Sequence, residues 1–96
     1  MEYRGETSMA ERLLCVEDAF TTNGPGVVVM PRFTTTAPQR GRFAVRLVFP
    51  DGTELAASAS LDVAHMRGAS GQYAMYRLFD VDLARITKGT EIWSVE

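Results

Sequence analysis

Arg42-Phe43-Ala44-Val45-Arg46-Leu47-Val48-Phe49-Pro50-Asp51-Gly52-Thr53-Glu54-Leu55-Ala56-Ala57-Ser58-Ala59-Ser60-Leu61-Asp62-Val63 reads as two alternating strands joined by a turn. Phe43, Val45, Leu47 and Phe49 fall on one side, with Arg42, Ala44, Arg46 and Val48 on the other. A period of two means a strand with one face buried. Pro50 sets φ and Gly52 supplies the positive-φ position, so Pro50-Asp51-Gly52-Thr53 predicts a tight turn. Leu55, Ala57, Ala59, Leu61 and Val63 then run back on one side, against Glu54, Ser58, Ser60 and Asp62.

Outward from this hairpin the pattern remains that of short strands. Upstream, Leu13 to Phe20 is followed by the turn cluster Thr21-Thr22-Asn23-Gly24-Pro25-Gly26, and Gly26 to Phe33 holds the β-branched run Val27-Val28-Val29. Pro31 cannot donate to a ladder, so that strand must end, bulge or lie at an edge there. Thr34 to Gly41 reads as a long loop or irregular extended passage, and with the Pro31-interrupted strand it is the expected exposed edge. Downstream, Met66 to Gly71 is a Gly/Ser-rich loop. Gln72 to Leu78 is a strand with Tyr73, Met75 and Phe79 on one side. Residues 82–87 predict one helical turn, with Asp82 as N-cap and Gly89 closing it, before a last strand from Glu91 to Val95. Six strands and one helical turn predict an all-β fold, a small antiparallel barrel or sandwich.

The 96 residues and 10.6 kDa allow one domain, expected over residues 12–96 behind a flexible tail at 1–11. Apolar residues at 46% against 23% charged exclude a disordered chain. A net charge of −2 excludes a chain built as a whole to hold a polyanion. The single cysteine excludes an internal disulfide, and no signal peptide or membrane-length apolar run is present, so a cytoplasmic protein is expected.

Val16-Glu17-Asp18-Ala19-Phe20-Thr21-Thr22-Asn23-Gly24-Pro25-Gly26-Val27-Val28-Val29-Met30-Pro31-Arg32 resembles the opening of the second domain of translational GTPases such as elongation factor Tu. There the pattern is V-E-D-x-F-x-I-x-G-R-G-T-V-V-T-G-R. It is matched without a gap at Val16, Glu17, Asp18, Phe20, Gly24, Gly26, Val28, Val29 and Arg32. Ile86-Thr87-Lys88-Gly89 is similar to the family's I-x-R-G before the last strand, so the resemblance spans residues 12–96. Met30-Pro31 replaces the family's Thr-Gly, and Pro25 stands where its Arg lies between the glycines. The chain lacks G-x-x-x-x-G-K-[ST], which excludes nucleotide hydrolysis by this chain alone. The resemblance implies a six-stranded Greek-key barrel that packs on a neighbouring domain and touches tRNA or the ribosome.

Catalytic constellations are not expected. His65 is the only histidine, and Ser58 and Ser60 lie in a plain strand with no G-x-S-x-G elbow. Cys15, on a strand with Leu13 on the same face, is expected to pack in the core. It lies fifty residues from His65, which gives no metal-ligand cluster. Glu17 and Asp18 point to opposite faces of a strand, so they do not share an acid/base site, and Asp18 is expected at a turn or on the surface. No cofactor or metal is expected.

Charge placement is the one feature that is not random. Residues 19–50 hold no acid but carry Arg32, Arg40, Arg42 and Arg46. Arg42 and Arg46 share the polar face of one strand, where they can pair across the turn with Glu54, Ser58 or Asp62. Alternatively the row meets a phosphate backbone. Stacking aromatics complete a nucleic-acid site, and Tyr76, with Phe33 or Trp93, is the expected exposed candidate. The leading expectation is a non-enzymatic barrel module that docks on a protein partner through a face or edge. The alternative is an RNA-binding accessory related to translation, using Arg32, Arg40, Arg42, Arg46 and Tyr76.

Overall fold

The computed structural model describes residues 10–35, 41–65 and 72–95. It is all-β. The strands are β1 Arg12–Cys15, β2 Asp18–Thr21, β3 Val27–Met30, β4 Phe33–Thr35, β5 Phe43–Val48, β6 Glu54–His65, β7 Gln72–Phe79 and β8 Glu91–Ser94, with a 3-10 turn at Leu83–Arg85. Eight strands therefore replace the expected six. They form one antiparallel sheet in the order β1-β8-β5-β6-β7-β3-β2, with β4 also on β7. The sheet curls into the expected antiparallel barrel shape, as a half-barrel that stays open rather than closed.

The hairpin forms as its alternation requires. Phe43 pairs with Ala59, Val45 with Ala57 and Leu47 with Leu55. At the turn, Gly52 N donates to Phe49 O, and the Asp51 carboxylate accepts from both Thr53 N and Thr53 Oγ1. Gly52 takes φ +90°, the conformation that glycine was expected to supply.

The curl has a local cause. The predicted strand from Leu13 to Phe20 is broken in two, and the halves lie at opposite ends of the sheet. Only Val16 and Glu17 connect them. Val16 N donates to Thr90 O and Gly89 N to Val16 O, beside β8, while Glu17 N donates to Met30 O at the end of β3. Two residues cannot span a flat eight-stranded sheet, so the sheet must bend until its ends approach, and the Val16 side chain is buried in the core they enclose.

Core side chains come from the predicted face of β5, from Leu55, Ala57, Ala59 and Leu61 of β6, from Val27 and Val29 of β3, from Ile92 of β8 and from Ala74, Tyr76 and Leu78 of β7, whereas Val63, on the same predicted face of β6, is exposed. β7 therefore buries its even-numbered face. Tyr73, Met75, Arg77 and Phe79 take the outer one, which corrects the expectation that Tyr76 is exposed. Tyr76 lies between Phe33, at 5.0 Å between ring centroids, and Phe43, at 6.3 Å edge to face. Burial raises its phenol pKa above the ordinary value.

Two further expectations are corrected. Cys15 is exposed: the β1–β8 register shifts between Arg12 and Leu14, so the bulge breaks the alternation that placed Cys15 beside Leu13. The Pro31-interrupted strand is not an edge, since β3 stops at Met30 and is flanked by β2 and β7; β4, beyond the cis Met30–Pro31 peptide, pairs with β7 alone among the described strands. Asp82 occupies the N-cap position without a side-chain bond to the turn, while Gly89, at φ +96°, closes the passage as expected. Residues 1–9 of the expected tail, the loop 66–70 with Gly71, and most of the 34–41 passage lie outside the described residues. Glu11, placed in the tail, is tied at both backbone groups to Ser94.

Candidate functional site

Phe79 ends β7 on the outer face, yet its ring is only 8% exposed. Two things cover it. Gly26 crosses so close that a Cβ there would lie 2.5 Å from Leu78 O and 3.2 Å from the Phe79 ring. The Arg42 guanidinium lies 3.7 Å from the ring centroid, a cation–π contact. After Phe79 the chain turns sharply: Asp80 takes φ +65°, a left-handed conformation that aspartate tolerates better than most side chains. The 3-10 turn then brings Arg85 over the Phe49 ring at 4.4 Å, and buried Ile86 anchors the turn to the core.

Between these elements lies an open groove of about 600 Å³, with Phe79 and Leu55 in its lining and Arg42, Arg85, Asp80 and Asp82 around it. All four charged residues are exposed. Among the described residues none of them forms an ion pair. Each guanidinium lies over a ring, Arg42 over Phe79 and Arg85 over Phe49, and Arg85 also sits within electrostatic reach of Asp51.

A second groove, of about 340 Å³, gives the contrast. It is lined by Arg46, Glu54, Glu91 and Trp93, and its charges are cancelled. Arg46 lies 3.6 Å from Glu54. Glu91 accepts from Trp93 Nε1 at 3.0 Å and from Arg12 at 3.3 Å, which together hold its carboxyl below the ordinary value.

The five residues singled out in the sequence do not form one site. Arg40 lies outside the described residues. Arg46 pairs across the hairpin with Glu54, as the cross-strand reading expects. Asp62, offered as a partner for the same row, instead binds Arg77: Nε donates at 3.0 and 3.2 Å, and Nη2 at 2.5 Å. Arg32 stacks over Tyr73 at 4.3 Å and Arg42 over Phe79, six residues along β7 and therefore about 20 Å apart. Tyr76 is in the core. Only Arg42 reaches the large groove, where Arg85, Asp80 and Asp82 join it from a segment read merely as a helical turn.

Arg77 was not singled out at all. Its side chain, 14% exposed, also donates from Nη1 to Thr22 Oγ1 at 2.9 Å and Pro25 O at 2.7 Å. It pins the β2–β3 turn onto β6 and β7 and so fixes the wall of the groove. Its charge in the middle of β7 was the available signal that odd-numbered positions face outward.

The described residues hold no cluster of three or more His, Cys, Asp or Glu suited to a metal. None of their helices is long and apolar enough to cross a membrane. Comparison with protein-family models, curated proteins and solved structures finds no match.

Proposed function

We propose that this chain is a non-enzymatic binding module that docks on a protein partner, and that the groove over Phe79 is its docking site. The observation that carries the reading is the set of four exposed charges, of both signs, that form no ion pair among the described residues around a groove lined by Phe79. A volume of ~300–1,000 Å³ suits a bound segment of a few side chains. The Greek-key kinship with the second domain of translational GTPases and a cytoplasmic location belong to the same proposal. They rest on residues 16–32 and 86–89 and on the composition. The RNA-binding alternative draws on Arg32 and Arg42, and is weakened by Asp80 and Asp82 beside Arg42 and by Glu54 against Arg46.

Affinity capture with the tagged protein from its native lysate, with and without nuclease, tests the reading. Wild type and an Arg42→Glu/Arg85→Glu variant are run in parallel. A protein that survives nuclease and is lost with the variant supports docking at the groove. Loss of every partner on nuclease treatment transfers the function to RNA.

A further inference from the structure

We infer that the segment received by the groove is an extended peptide carrying an acidic and a basic side chain a few residues apart. This rests on the docking reading above and names the chemistry of the partner. Arg42 and Arg85 supply two planar forks, each stacked on a nearly buried phenylalanine. Ring stacking pre-orients a guanidinium without using its N–H groups, so less freedom is lost when a carboxylate binds in the bidentate way. Asp80 and Asp82 supply two carboxylates in the same lining, neither engaged by a cation among the described residues.

One sign alone does not satisfy this groove. A polyanion meets Asp80 and Asp82, and a polycation meets Arg42 and Arg85. A two-signed segment answers both pairs, and like-charge contacts turn away the wrong partners. Leu55 and Val81 add apolar surface to the same lining. A compact space of about 600 Å³ is roughly 8 Å across, and an extended chain advances ~3.3 Å per residue, so charges two to four positions apart reach across it. The second groove shows the opposite choice in the same molecule: Arg46 with Glu54 and Arg12 with Glu91 cancel internally and leave nothing for a ligand.

The test is selection of displayed random ten-residue peptides on the folded full-length chain, with affinities then read by fluorescence polarisation. Enrichment of peptides bearing both signs at two-to-four-residue spacing is expected. Arg42→Glu is expected to weaken them at least tenfold, and Asp82→Asn, a milder change at an exposed position, several-fold. Reversing the peptide's acid to lysine is expected to restore binding to Arg42→Glu. Circular dichroism confirms that each variant is folded. Enrichment of single-signed or uncharged peptides, or equal binding by the variants, overturns the two-signed partner and leaves the docking reading standing. Absence of any enriched peptide overturns both. Displacement of selected peptides by polyuridylate overturns both in favour of RNA.

Discussion

Gly26→Ala is expected to be the most damaging alanine substitution among the described glycines. Two costs combine at that position. Gly26 sits at φ +83°, where an L side chain crowds its own backbone at about 1–2 kcal/mol. The new Cβ would also stand 2.5 Å from Leu78 O, with Arg77 Cγ at 3.3 Å behind it. A carbonyl oxygen in a ladder cannot swing away as a side-chain tip can. β3 and β7 must therefore part beside the Val27–Leu78 pair, at about 1 kcal/mol for each ladder bond lost. The sum is about 3–4 kcal/mol, a large share of the ~5–15 kcal/mol that holds a small domain together. Gly52→Ala isolates the first cost: Gly52 has φ +90° and nothing within 4 Å of its added Cβ. Urea unfolding followed by circular dichroism measures both variants. Gly52→Ala is expected to lose about 1–2 kcal/mol and Gly26→Ala twice that or more, lowering Tm by roughly 15–25 °C. A difference between the two below about 0.5 kcal/mol refutes the steric argument, since that is the scatter within which independent costs add.

Other perturbations bear on other joints. Arg77→Gln is expected to cost about 2 kcal/mol, and Asp62→Asn less because Asp62 is partly exposed; a double-mutant cycle gives their coupling, near 1 kcal/mol. Thr90→Val is expected to stabilise the fold by about 1 kcal/mol in thermal unfolding, because Thr90 is fully buried and its Oγ1 has no partner. Glu91 has a pKa depressed below the ordinary 4.5 by Trp93 and Arg12, so its contribution is complete above that pH and is lost as the pH falls through the lower folded value. Trp93 is the sole tryptophan, and its fluorescence is expected to titrate below pH 4.5 in the wild type and stay flat over that range in Glu91→Gln.

What could be read from the sequence was what one strand and its nearest neighbour decide together. The hairpin from Phe43 to Val63 carried its face, its turn and its register in a period of two and one Pro-Asp-Gly-Thr corner. Val16 shows the limit of that reading. Its apolar neighbours make Leu13 to Phe20 resemble a single strand, yet its backbone bonds go to Gly89 and Thr90 beside β8 while those of Glu17, the next residue, go to Met30 at the end of β3, and only the chain path reveals it. Cys15 was misplaced because a bulge shifts the alternation by one residue and leaves no mark in composition. Tyr76 reads as exposed because β7 has aromatics on both faces, and only the charge of Arg77 marks the odd-numbered face as the outer one. The candidate groove was hardest to foresee. Arg42 and Arg46 look equivalent on one strand, but the ring that holds Arg42 arrives from β7, and Asp80, Asp82 and Arg85 arrive beyond it.

The pairing of β1 with β8 ties the two ends of the domain into one fate. During synthesis the first strand emerges long before its partner, so Leu13 and Leu14 wait uncovered until residues 91–94 leave the ribosome, and such distant pairing is slow to find. The same tie acts in the finished molecule. A protease that trims the chain back past Glu91 removes β8 and, with it, the only strand that holds β1 among those described. A cut before β8 would then also strip the partner from β1, about 75 residues earlier in the chain.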